Sequence, residues 1–130
     1  MDAIDTNILV RYIVADDIFQ HKQAVSLIES GDPKLINPIV LVEFSWVLRS
    51  VYSLSREVIA EAMEKIGSCG YFMYKRPGPV KIAIRHFVGG LDLADALIVG
   101  TNKDDGALVT YTFDKKAARM DGYRLLDFTE

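Results

Sequence analysis

The sequence predicts an α/β fold, with a central parallel sheet of four to five short strands flanked by helices in three layers. Short apolar runs alternate with longer segments of helical periodicity, the signature of strand–helix–strand units. Half of the 130 residues are apolar, enough for a real core, and a quarter are charged, as in ordinary soluble proteins. No internal repeat and no Pro/Gly/Ser-rich linker divides the chain, so residues 1–130 read as a single domain of common size.

The elements follow in order. A very short strand is expected from Asp2 to Asp5, then a helix over Ile8 to Val14. A second helix covers Ile18 to Ser30, with Gly31 as its natural stop. Leu35 to Asn37 reads as a strand. Pro38 suits the first turn of the next helix, where its missing N–H has no partner to lose, and that helix runs to Tyr52. Ser55 caps another helix ending near Gly67, and Tyr71 to Tyr74 is a strand. Pro77, Gly78 and Pro79 break the chain before a helix over Val80 to Phe87, which Gly89 and Gly90 end. Leu91 to Lys103 is the last long helix. Ala107 to Tyr111 is a strand, a short helix follows Asp114, and Tyr123 to Leu126 closes the sheet.

The net charge of −3 does not advertise a nucleic-acid partner. Setting aside four candidate site acids leaves +1, a surface that does not repel phosphate. The single cysteine, Cys69, can form no disulfide within the chain and fits a reducing, cytoplasmic compartment as a quiet structural residue. Asp2 and Asp5 argue against a secretory signal, and no apolar run approaches the ~20 residues that span a bilayer.

Four acids stand in apolar company. Glu43 is the only charge between Lys34 and Arg49, in a helix apolar on nearly every face, so burial is expected and a partner or metal with it. The plain alternative is a basic partner or an exposed helix edge. Asp95 lies in GLDLADALIVG with no basic residue between His86 and Lys103. Asp92, three residues earlier, looks like an N-cap. Asp5 and Asp114 follow strand runs, at the carboxyl ends where open parallel sheets bind ligands. Either alone reads as a turn or cap residue. Gathered carboxylates repel each other unless a cation joins them, and an oxygen-only ligand set selects Mg²⁺ or Mn²⁺. Such ions recruit phosphate and activate water.

The stretches IDTNILVRYIVADD, VEFSWVLR, DLADALIVG and TFDKK stand in this order and span most of the chain. Together they resemble the motifs of PIN-domain ribonucleases, and within them the VapC-type toxins of bacterial and archaeal type II toxin–antitoxin modules. The resemblance implies a PIN-like fold and an acidic centre of Asp5, Glu43, Asp95 and Asp114, with Asp5 and Asp95 the firmest ligands of Mg²⁺ or Mn²⁺. It implies polar helpers at Thr6, Asn7 and Thr112, and an accessory acid at Asp92. Turn and cap chemistry explains Thr6, Asn7 and Thr112 equally well. The resemblance further implies an RNA substrate, a cognate antitoxin protein and a homodimer. Apolar residues of the early helices (Ile8, Leu9, Ile13, Val25 and Ile28) are expected to exceed what the core needs and to leave a patch for a partner.

Other residues carry less. Trp46 is expected in the core, and His21 and His86 lack partners at metal-ligand spacing. Arg11, Arg49, Lys75, Arg76 and Arg85 are candidates for an RNA-binding rim, or simply solvated charge. No glycine-rich dinucleotide fingerprint and no P-loop is present. Two competing readings stand: a Mg²⁺-dependent phosphatase or phosphoacceptor domain, and a non-catalytic RNA- or protein-binding PIN domain. The first lacks a second aspartate two residues after Asp5.

Overall fold

The computed structural model describes residues 1–126. The chain divides into two compact units, Met1–Pro77 and Gly78–Glu130. The first contains α1 (Thr6–Ile13), α2 (Ile18–Ile28), β1 (Lys34–Ile36), α3 (Pro38–Ser50), α4 (Arg56–Ser68) and β2 (Phe72–Tyr74). The second contains α5 (Pro77–Val88, whose first residue belongs to unit one), α6 (Leu93–Asp104), β3 (Thr110–Thr112), a 3-10 turn (Ala117–Arg119) and β4 (Tyr123–Leu125).

Capping sets the helix starts. The side chains of Asp5, Asp17, Asn37 and Ser55 accept from backbone N–H groups of α1, α2, α3 and α4. In unit one, α1 packs on α2 and α3, and α3 packs on α4. Leu41, Phe44 and Leu48, on one face of α3, are wholly buried. Each such side chain contributes about 1.5–3 kcal/mol on burial. Tyr12 meets Phe72 edge to face at 5.5 Å. Lys34 is buried, yet its ammonium donates to the carbonyls of Ser30 and Asp32, so its charge is solvated by backbone.

The fold is α/β with parallel pairing, as expected, but the strands do not form one described sheet. β1 pairs with β2 and β3 with β4, each in parallel. The expected strand Asp2 to Asp5 is a single bridge, Ala3 to Leu35. Every strand is three residues long, so each ladder holds few hydrogen bonds. Asp5 has already left the strand to cap α1.

The expected break at Pro77–Pro79 is instead the first turn of α5. Proline there forfeits only N–H groups that a first turn leaves unpaired. Strand β3 begins at Thr110, not Ala107, because Gly106 at φ +98° still belongs to the turn that ends α6. Gly122, at φ +99°, lies so close to Lys103 and Val99 that a Cβ would strike both, which seats the entry to β4 on α6.

The apolar surplus lies elsewhere than expected. Leu9 and Ile28 are fully buried, Ile8 and Val25 half-buried, and of the named five Ile13 alone is exposed. The large exposed residues of α2 are Ile18, Phe19 and Leu27. Trp46 is 65 % exposed, against its expected place in the core. Ile39, Glu43, Trp46 and Ser50 recur at helical spacing on the solvent face of α3, opposite Leu41, Phe44 and Leu48. No helix among the described residues is long and apolar enough to cross a membrane.

Candidate active site

In unit one, the turn into α1 creates the first acidic cluster. Asp5 accepts from Thr6 N–H at 2.7 Å, holding its carboxylate against the N-terminus of α1. Thr6 is itself buried, and its hydroxyl donates to Glu43 Oε1 at 2.8 Å across 37 residues of sequence. Asp5 and Glu43 are thus brought to the two sides of one threonine. Glu43 is exposed, contrary to the burial expected from its apolar helix: α3 is buried along one face only, and Glu43 lies on the other. Asn7 is exposed in the first turn of α1, on a cleft it shares with Ile8, Arg11, Gln20, Gln23 and Leu27.

In unit two, Asp92 caps α6 by accepting from Asp95 N–H at 3.1 Å, the role read from its position. That bond sets the first turn in which Asp95 stands, half-buried. Burial pushes the Asp95 carboxyl above the usual aspartate range, and the negative charges of Asp92 and Asp114 push it further. Asp114 accepts from the N–H groups of Lys116 and Ala117 at 2.8 and 3.2 Å, capping the 3-10 turn. Its own N–H donates to the Thr112 hydroxyl at 3.0 Å. Thr112 therefore shapes the turn that presents Asp114.

Tyr123 belongs to this cluster, and nothing in its spacing marked it. Its hydroxyl donates to the Asp95 backbone carbonyl at 2.6 Å, tying the start of β4 to the first turn of α6. Partial burial and then the charges of Asp95, Asp92 and Asp114 push its phenol up to about 12. It stays protonated and donating at neutral pH.

Each unit thus gathers its own share of the expected acids. Among the described residues, no three His, Cys, Asp or Glu side chains are close enough to form a preassembled metal site. The donor chemistry does fit a hard divalent cation. Asp95 feels the like charges of Asp92 and Asp114, and no ion pair between described residues involves it. Of the basic rim candidates, Arg11 is committed to Asp16, Gln20 and Tyr52, while Arg49, Lys75 and Arg85 are exposed.

The sequence profile of the PIN domain family matches residues 3–123. The chain belongs to the PIN domain family. PIN domains are typically nucleases, hydrolases that generally use divalent metal ions, and membership carries the expectation of RNA binding. The match takes in all four acids of the expected centre. No curated protein and no solved structure matches the chain significantly.

Proposed function

We propose that this PIN domain is a metal-dependent endoribonuclease, the VapC-type toxin of a toxin–antitoxin pair, and that residues 1–130 act as one functional domain in the cytoplasm. The observation that carries the nuclease reading is the setting of Asp95 in the first turn of α6, capped by Asp92, where burial first and then the charges of Asp92 and Asp114 raise its carboxyl. Such a setting costs stability unless a cation offsets it. Asp5, Glu43, Asp95 and Asp114 would hold Mg²⁺ or Mn²⁺, with Asp5 and Asp95 the principal ligands. When bound, the ion supplies charge stabilisation at the scissile phosphate and a more acidic water.

The chain's own residues do the positioning. Thr6 donates to Glu43 and fixes one of its oxygens, leaving the other open to a ligand. Asp5 is oriented by the first N–H of α1. Tyr123 anchors the carbonyl of Asp95 and so steadies the turn that carries its carboxylate. Thr112 and the 3-10 turn do the same for Asp114. Neither histidine and not Cys69 is placed by any described contact to serve as a nucleophile; His21 is bonded to the Arg11 carbonyl and Cys69 to that of Ile66.

The purified protein is to be incubated with structured RNA, single-stranded RNA and DNA, with Mg²⁺, Mn²⁺ or a chelator. Cleavage of RNA that depends on metal is expected, and cleavage surviving the chelator would falsify this reading. Trapping an aspartyl-phosphate with beryllofluoride would turn the assignment to a phosphatase. For the toxin role, expression should arrest growth, and co-expression of a small neighbouring reading frame should relieve it. The exposed Ile18, Phe19 and Leu27 on α2 are consistent with an antitoxin or a second copy covering that helix. Light scattering that finds only monomer at high concentration would count against the homodimer.

A further inference from the structure

Strands β3 and β4 expose a chemically distinctive face within unit two. In β3 the half-buried Thr110 and Thr112 alternate with Tyr111, which is 58 % exposed. In β4 the half-buried Tyr123 and Leu125 alternate with the exposed Arg124. The register sets Tyr111 directly beside Arg124, whose guanidinium carbon lies 5.9 Å from the Tyr111 ring centre, within cation–π reach. One residue beyond β3, Phe113 is 76 % exposed, and Asp114 follows it immediately.

Two exposed rings beside a site acid call for a partner, since aromatic surface in water forgoes the large stabilisation of burial. The charge around them says which kind. From Ala107 to Leu126 there are four basic residues, Lys115, Lys116, Arg119 and Arg124, against Asp114 and Asp121. Asp121 is already paired with Lys103 at 2.8 Å. None of the four basic residues forms an ion pair among the described residues. Rings interleaved with cations match a polyanion that offers flat faces. A nucleic acid strand does so only where its bases are unpaired, because a duplex hides those faces inside its stack.

We propose that Tyr111, with Arg124 over its ring, and Phe113 form a stacking platform for unpaired bases of an RNA strand whose phosphate lies at Asp114. This rests on the ribonuclease reading and deepens it by naming side chains outside the acidic set, Tyr111, Phe113 and Arg124, that would hold the bases of the strand. Tyr111 and Phe113 supply π-faces, and Lys115 and Lys116 balance the backbone charge. Stacking tolerates any base, so the platform selects unpaired structure without selecting sequence.

The test is fluorescence anisotropy with a labelled single-stranded RNA 12-mer and its duplex, in Ca²⁺ to supply a hard cation. Wild type should bind the single strand more tightly. Tyr111→Leu and Phe113→Leu keep apolar bulk but lose the ring, and each should weaken single-strand binding roughly five- to a hundredfold. Tyr111→Trp should retain it. Duplex binding should change little in any variant. A circular dichroism spectrum matching wild type keeps the Leu variants interpretable. Leu variants that bind single strands as wild type does would overturn the platform. So would a loss of self-association on light scattering with RNA affinity intact, which would make this face a contact between copies. Failure of the ribonuclease reading is seen separately, as absence of metal-dependent cleavage by wild type.

Discussion

Asp16 and Asp95 are both aspartates at the edge of a helix, and they live in opposite electrostatic settings. Asp16 takes a 2.7 Å ion pair from Arg11 and a 2.9 Å hydrogen bond from Tyr52, and Arg11 is steadied in turn by Gln20. The Tyr52 hydrogen bond above all, then the Arg11 charge, holds its carboxyl below the usual range. Asp95 has Asp92 and Asp114 for neighbours, and burial together with their charge holds its carboxyl above that range. A carboxylate that serves the fold is given donors and a cation. One left among other carboxylates is a candidate for a ligand that brings the cation with it.

Removing one member of each set should separate them most widely in catalysis. Asp95→Ala or Asp5→Ala should lower metal-dependent RNA cleavage by roughly a thousandfold or more, the several kcal/mol that a cation supplies to phosphate chemistry. Asp16→Asn should leave the rate near wild type. Comparable rates in all three variants would erase the distinction.

Metal linkage comes next. At a concentration about a hundredfold above its Kd, Mn²⁺ should stabilise the folded protein by about 2.7 kcal/mol. Differential scanning calorimetry should register the shift in wild type and in Asp16→Asn, and lose it in Asp95→Asn. An equal Mn²⁺ response in Asp95→Asn would remove that residue from the ligand set.

Thr6→Val sharpens the comparison inside unit one, because it deletes the donor to Glu43 while keeping the side chain's volume. A bond to a charged acceptor is worth about 1.5–3 kcal/mol, and the exposure of Glu43 places the stability loss near the lower figure. Urea denaturation should show that loss. Single-turnover cleavage should slow as Glu43 swings free, and Thr6→Ser should restore it.

The smallest effect is the stability–pH profile in chelator. A raised pKa in the folded state means the ionised Asp95 disfavours folding, so its contribution is most favourable in acid and is lost as pH rises through the folded value. Asp95→Asn should therefore be more stable than wild type at pH 7. The gain is small, because solvent screens a half-exposed carboxylate, and it fades as the pH falls through the range in which aspartate takes up its proton. Asp16 has the opposite sign: its contribution is present at neutral pH and disappears as pH falls through its lowered value. Thermal melts of both variants across pH 3 to 8 should give difference curves of opposite sign.

Much of this was legible before any coordinates. The starts of α3 and α4 followed from Pro38 and Ser55, because helix-start chemistry is local to residues two or three apart. The cap role of Asp92 was readable for the same reason. The first turn of α5 is not legible in the sequence, because Pro77 and Pro79 signal both a break and a helix start, and only the following backbone distinguishes them. The exposure of Glu43 and Trp46 is hidden in the sequence because α3 is apolar nearly all round, so periodicity does not say which face meets the core.

By itself the sequence determined where the helices lie and roughly where four of the five expected strands fall, and which acids stood without nearby cations in the chain. Both depend on interactions a few residues long. Tertiary structure alone decided that Thr6 reaches Glu43 across 37 residues, that Tyr123 anchors Asp95, and that Asp16 is satisfied while Asp95 is not. The electrostatic state of a carboxylate is set by whatever lies within a few ångströms. Distance along the chain carries almost no information about that neighbourhood once helices have packed.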